Sequence, residues 1–150
     1  MSKREKAIEL FLEGYNCAQS VFGAFAEDLG LDFETAIKFS SAFGGGMGRL
    51  REVCGAVSGM FMVLSVKEGY TSPTAKEEKM ELYKKVQDLA AEFKAKNGDT
   101  IICRELLENV KTTKGHVPED RTAEYYKSRP CAKFVGDAAE IMENYLNKNN

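Results

Sequence analysis

Phe43-Gly44-Gly45-Gly46-Met47-Gly48-Arg49-Leu50-Arg51-Glu52-Val53-Cys54-Gly55-Ala56-Val57-Ser58-Gly59-Met60-Phe61-Met62-Val63-Leu64-Ser65-Val66 is the stretch that decides the fold. From Val53 to Val66 no residue is charged, so the segment lacks a polar face and predicts a helix buried on all sides. It is too short to span a bilayer, which takes about 20 residues. The glycines before it, Gly44, Gly45, Gly46 and Gly48, predict a loop with positive φ that comes close to another group. Arg49 and Arg51 make that loop basic. Cys54 then falls in the first turn of the helix beside the small residues Gly55, Ala56, Ser58 and Gly59, so something is expected to be held at this end.

Outward from this segment, the pattern is helical throughout. Residues 3–13 carry Ala7, Ile8, Leu10, Phe11 and Leu12 at helical spacing, and Gly14 offers a left-handed cap. Asn16 caps a second helix from about Cys17 to Leu29, with Ala18, Val21, Phe22, Phe25 and Leu29 on its apolar face and Gly30 as its stop. Asp32 caps a third, about Phe33 to Ala42. After Gly69 the longest helix starts at Ser72-Pro73-Thr74, with a Thr74/Glu77 capping box as the competing start. Its predicted buried face is Met80, Tyr83, Val86, Leu89, Ala90 and Phe93, and Asn97-Gly98 ends it. Asp99 or Thr100 caps a short helix through Ile101, Ile102, Cys103, Leu106 and Leu107. From Lys111 to Lys127 periodicity disappears, which predicts a loop long enough for a lid or a partner contact. Ser128 and Pro130 announce the last helix, with Cys131, Phe134, Val135, Ala138, Ile141, Met142 and Tyr145 facing inward. The expected fold is all-α, a single domain over residues 1–150 of about six helices around the buried Cys54 helix, with no strand.

Composition narrows the function classes. At 150 residues the chain can bury about two-thirds of its unfolded surface without a staple. A net charge of −2 excludes bulk electrostatic binding of nucleic acid or anionic membranes. The charged N-terminus, Met1-Ser2-Lys3-Arg4-Glu5-Lys6, lacks a signal peptide's apolar core and places the chain in a reducing cytoplasm, where structural disulfides are not expected. Cys17, Cys54, Cys103 and Cys131 then call for a metal, a redox role or simple packing as small apolar side chains.

Position separates these readings. Each cysteine falls within the first turn or so of a different predicted helix, where unpaired N–H groups and partial positive charge favour a thiolate. If the four ends converge they form a site for an anionic cluster, with Arg49, Arg51, Arg104 and Arg129 compensating charge and Gly55 and Gly59 admitting close backbone approach. No Cys-x-x-Cys pair occurs, so zinc-ribbon and thioredoxin motifs are absent. The one histidine, His116, reads as a solvated loop residue, Met60 and Met62 as core, and Glu77, Glu78 and Glu81 as a solvent face. The glycine loop lacks the Gly-Lys-Ser/Thr ending of a phosphate cradle, and no serine or second histidine supports a hydrolase.

Together, Asn16-Cys17-Ala18, Cys54-Gly55-Ala56-Val57-Ser58-Gly59, Cys103 in Cys-Arg-Glu-Leu, and Cys131 resemble a small bacterial and archaeal family described as redox-active and named for its C-GCAxxG-C-C pattern. The resemblance covers about residues 3–146. The family is similar to the cluster-bearing domain of certain multidomain cytochromes, which implies an iron–sulfur cluster of the [2Fe–2S] kind. The expected function is a non-enzymatic electron carrier or redox sensor with a cluster on Cys17, Cys54, Cys103 and Cys131. The alternatives are a thiol-disulfide oxidoreductase using a cysteine pair, with Cys54 as nucleophile, and a structural zinc site on the same four residues. A redox protein is the expected partner, and Tyr125 and Tyr126 in the loop are the candidates for an interface with it or with a second copy of the chain.

Overall fold

The computed structural model describes residues 1–149. The chain folds as α1 (Lys3–Leu12), α2 (Cys17–Ala24), α3 (Phe33–Ser40), α4 (Gly44–Met47), α5 (Gly55–Glu68), α6 (Lys76–Lys96), α7 (Cys103–Leu106), α8 (Ala123–Ser128) and α9 (Cys131–Lys148), with a 3-10 turn at Ser41–Phe43 between α3 and α4. Among the described residues six helices have eight residues or more, as expected, and the one β pairing is an isolated antiparallel bridge between Val53 and Ile102.

The early caps form where the side chains dictate. Ser2 accepts from the Glu5 amide (3.1 Å), Asp32 from Thr35 (3.1 Å), and Asn16 and Gln19 form a reciprocal capping box (2.9 and 3.1 Å). Each satisfies amides that the first helical turn leaves unpaired. The first half of α5 is the centre of one contiguous core: Gly55 to Met60, Val63 and Leu64 are buried against α2 on one side and α9 on the other. Phe93 of α6 meets Phe134 of α9 with ring centroids 6.2 Å apart. Helix α1 lies along α9, and their polar seam is centred on Asp137, which accepts from Arg4 (2.7 Å), Lys133 (2.7 Å) and Asn97 (3.2 Å). Burial opposes ionisation of Asp137, but these donors outweigh it and hold its pKa below the ordinary value.

Several expectations need correction. Helix α5 is not enclosed along its whole length: burial reaches Leu64, whereas Ser65 and Val66 are exposed, and the far end is held from one side only, by Lys85 and Tyr145 on Glu68. Helix α2 stops at Ala24, five residues early. Tighter i to i+3 turns at Phe25 and Ala26 keep those side chains in the core, so the apolar spacing continues after the helix has ended. The long helix begins at Lys76, since the Thr74 hydroxyl pairs with Ser72 (3.0 Å) instead of capping it. Leu82, Leu89 and Phe93 form its buried face, whereas Met80 and Tyr83 are exposed: only a narrow stripe of the N-terminal half of α6 meets the body, and Tyr83 lies outside it against Tyr70. Finally, the supposed loop of residues 111–127 contains most of the short helix α8, capped by Thr122 and too brief to show a period.

Candidate functional site

All four cysteines stand at helix starts. Cys17, Cys103 and Cys131 are the first residues of α2, α7 and α9, and Cys54 is the N-cap of α5. The four starts converge on one cavity of about 300 Å³. Two backbone devices bring them together. The Val53–Ile102 bridge, with Cys54 N–H donating to Ile101 O (2.8 Å) and Cys103 N–H to Glu52 O (2.6 Å), ties Cys54 to Cys103. Gly55 sits against Cys17 and Ala18: a Cβ there would lie 3.1 Å from the Cys17 Cβ and 3.0 Å from the Ala18 N. Its missing side chain lets α2 and α5 meet at their cysteine-bearing ends.

The floor beside the thiols is the segment labelled α4 with the residues after it, which by its backbone angles is a left-handed turn and not a right-handed helix. Gly45, Gly46, Met47, Gly48 and Arg49 all have φ between 58° and 72°, and Arg51 repeats it at 60°. Left-handed backbone disfavours L-residues with a Cβ by about 1–2 kcal/mol each, so Met47, Arg49 and Arg51 hold strain that the surroundings must sustain. Arg51 N–H bonds to Gly45 O (3.2 Å) and Glu52 N–H to Gly46 O (2.9 Å), closing the loop on itself. The result directs Arg49 and Arg51 into the cavity while Leu50 between them is exposed. Arg51 Nη1 lies 3.8 Å from the Cys103 sulfur.

Four guanidiniums, those of Arg49, Arg51, Arg121 and Arg129, share the cavity with a single carboxylate, Glu119. Their effect on the thiols is uneven. Cys131 is brought down to about 7, first by a hydrogen bond from the Cys17 thiol and then, against burial, by Arg129 and Arg121. That same contact, reinforced by burial, holds Cys17 well above the ordinary thiol value. Burial pushes Cys54 up to about 12, although the Ala56 and Val57 amides at the start of α5 pull the other way. Burial also raises Cys103, with Arg51 partly offsetting it. The order of reactivity follows from the sign: a lowered thiol pKa puts thiolate in place as pH rises through that value. In reduced, metal-free protein, alkylation of Cys131 is expected to climb through a midpoint of about pH 7. Cys54 should stay unreactive up to about pH 9. Mass spectrometry of pulse-labelled peptides measures both.

The sequence-derived residues therefore divide. Cys17, Cys54, Cys103, Cys131, Gly55, Arg49, Arg51 and Arg129 line the cavity. Gly59 does not; it packs on α2 beneath, where a Cβ would lie 2.9 Å from Ala18 O. Arg104 points outward to Glu52 (2.9 Å). Burial dominates at Cys54 and pushes its thiol up to about 12, whereas the arginines gather at Cys103 and Cys131. His116 is exposed as expected but sits at the cavity rim. Tyr125 and Tyr126 are half-buried and stack edge to face, with Arg121 over both rings and over Phe11; Tyr125 lines the cavity and Tyr126 packs behind it on Phe11. Sequence reasoning missed Arg121, Tyr125 and Glu119 as wall residues; all three belong to the aperiodic stretch before α9. Among the described residues no three His, Cys, Asp or Glu side chains are placed to hold one metal ion as they stand.

The fold and this cavity define a helical protein with four thiols gathered at four helix starts under a cover of arginines. The chain belongs to the family described as "Putative redox-active protein (C_GCAxxG_C_C)", which matches residues 15–145. The family label is written Gly-Cys-Ala, whereas the order here is Cys54-Gly55-Ala56, with the glycine after the cysteine. No curated protein and no solved structure matches the chain. Among the described residues no helix is long and apolar enough to cross a membrane.

Proposed function

We propose that this chain is a one-electron carrier or redox sensor of the reducing cytoplasm, holding an iron–sulfur cluster of the [2Fe–2S] kind on Cys17, Cys54, Cys103 and Cys131. The observation that carries this reading is the convergence of four thiols and four guanidiniums, with only Glu119 as a fixed counter-charge, on one cavity. Four thiolates are the usual ligand set of such clusters, and N–H groups and nearby charges tune them. When bound, the cluster supplies one-electron chemistry. The chain's own part is to supply thiolates from helix starts, neutralise them with Arg49, Arg51, Arg121 and Arg129, and keep water out with Phe11, Phe134 and Tyr125.

One observation favours a second reading. Cys17 and Cys131 line the same cavity, and the Cys17 thiol with Arg129 and Arg121 brings Cys131 down to about 7, so a thiolate stands near a second thiol at neutral pH. In a thiol-disulfide oxidoreductase the Cys131 thiolate would attack a substrate disulfide, forming a mixed disulfide and expelling one thiolate. Cys17 would then lose its proton, attack the Cys131 sulfur and release the second thiolate, leaving the protein oxidised and the substrate reduced.

Metal analysis separates the two. Protein produced and purified without oxygen should contain about two irons and two sulfides per chain, with a visible charge-transfer spectrum. Each of C17S, C54S, C103S and C131S should lose most of it. Iron absent from all preparations, with only C17S and C131S impaired in disulfide reduction, would replace the cluster with the dithiol. Stoichiometric zinc without sulfide would replace both.

A further inference from the structure

We infer that residues 111–120 form a strap that opens and closes over the thiol cavity, with Arg49 as its latch. The two ends of this segment are fixed. At one end Val110 bonds back to Leu107 (2.9 Å) and packs on the core. At the other, Arg121 donates to Phe11 O and Tyr15 O (2.9 Å each) and lies 4.3 Å from the Phe11 ring centroid. Between them the attachment changes character. Among the described residues no backbone–backbone hydrogen bond links residues 111–119 to the rest of the chain, and none of these residues belongs to the core or packs against it. Val117 is 65% exposed.

What holds the strap is arginine. Arg49 Nη2 donates to Thr113 O (3.0 Å) and Thr113 Oγ1 (2.8 Å), and Nη1 donates to Gly115 O (2.9 Å) and Val117 O. One guanidinium thus gathers three successive odd-numbered positions, and its side chain is only 12% exposed beneath them. A second hold is Glu119, bonded to Arg129 and 3.9 Å from both Arg49 and Arg51. On its inner side the strap presents His116, Pro118 and Glu119 to the same cavity as the four cysteines. Releasing Arg49 and Glu119 therefore uncovers the thiols without removing apolar surface from the core, the condition for a low-energy local opening. The strained left-handed Arg49 backbone is what aims the latch. Small solutes that carry metal, sulfide or a reactive disulfide would enter while the strap is open. The gate belongs to the bare protein and does not depend on which redox chemistry the cavity supports.

The test uses reduced, chelator-treated full-length protein and two readouts, iodoacetamide labelling of each cysteine and trypsin cleavage at Lys111 and Lys114. R49A should label Cys103 and Cys131 about tenfold faster and be cut in the strap about tenfold faster, with helical circular dichroism unchanged. E119Q should show several-fold changes in the same direction, R49K should fall between R49A and the parent, and K84A, on the far surface of α6, should show none. Unchanged cleavage in both R49A and E119Q overturns the gate. So does faster labelling without faster cleavage, which would reduce Arg49 to an electrostatic influence on the thiols. If R49A does not fold, E119Q decides by the same criteria.

Discussion

Gly46→Ala is expected to lower stability by about 3 kcal/mol and to disperse the cysteine site, because two penalties fall on one atom. Gly46 has φ +72°, where a side chain is disfavoured. Its Cβ would lie 2.7 Å from the Cys103 Cβ, 2.8 Å from Arg51 Cα and 2.8 Å from Glu52 N. Two of these neighbours are backbone, and Glu52 also accepts the Cys103 amide through its carbonyl, so relief requires moving the segment that pairs Cys54 with Cys103. Gly98→Ala isolates the conformational part: its φ is +69° but nothing lies within 4 Å, so about 1 kcal/mol is expected. Urea midpoints at constant m-value give both numbers. A Gly46→Ala effect no larger than that of Gly98→Ala would mean that the close approach of the left-handed turn to Cys103 does not matter to the fold. In the variant, Cys103 should also react faster with iodoacetamide than in the parent, since its cover is the part displaced.

Gly59→Leu is the second large effect, about 3 kcal/mol or more, and it acts from below the site. A Cβ at this position would stand 2.9 Å from Ala18 O and 2.9 Å from the Val21 Cβ, so helix α2 must retreat from α5. Retreat carries Cys17, the first residue of α2, away from the cavity it shares with Cys54. Gly59→Ala should show the same direction at about 1–2 kcal/mol. The comparison is Gly136→Ala, whose Cβ would meet Ile8 Cδ1 at 2.8 Å and Arg4 side-chain atoms at 3.1 Å, ends of side chains that can turn aside. That change should stay under about 1 kcal/mol. Thermal or urea unfolding checks the ranking, and equal losses at Gly59 and Gly136 would show that α2 and α5 can separate without resistance. The Cys17–Cys131 contact should weaken in Gly59→Leu, raising the pH midpoint of Cys131 alkylation above its starting value of about 7.

Local chemistry was legible wherever one segment decides its own state. Asn16 and Asp32 cap because a short polar side chain reaches its own helix amides, and this needs no distant partner. The inward face of α9 follows from spacing alone, since the whole helix lies against the body. The same rule failed at Met80 and Tyr83, where the period was present but only the narrow stripe of Leu82 and Val86 in that half of α6 meets the core. It failed again at Phe25, whose apolar repeat persists through turns after α2 has ended. Helix α8 was invisible because six residues cannot display a 3.6-residue period.

By itself the sequence determined an all-helical chain, a central helix with nothing charged before Lys67, and a cysteine at the start of each of four helices. Those are properties of neighbours along the chain: charge, spacing and capping groups. Only the tertiary structure decided that the four starts meet, that Arg104 turns outward while Arg121 turns in, and that Gly59 serves helix packing and Gly55 the cavity wall. It also decided which thiol is ionised. All four sit at comparable helix positions, yet Cys131 falls to about 7 and Cys54 rises to about 12, because burial and the arrangement of guanidiniums depend on segments far apart in sequence.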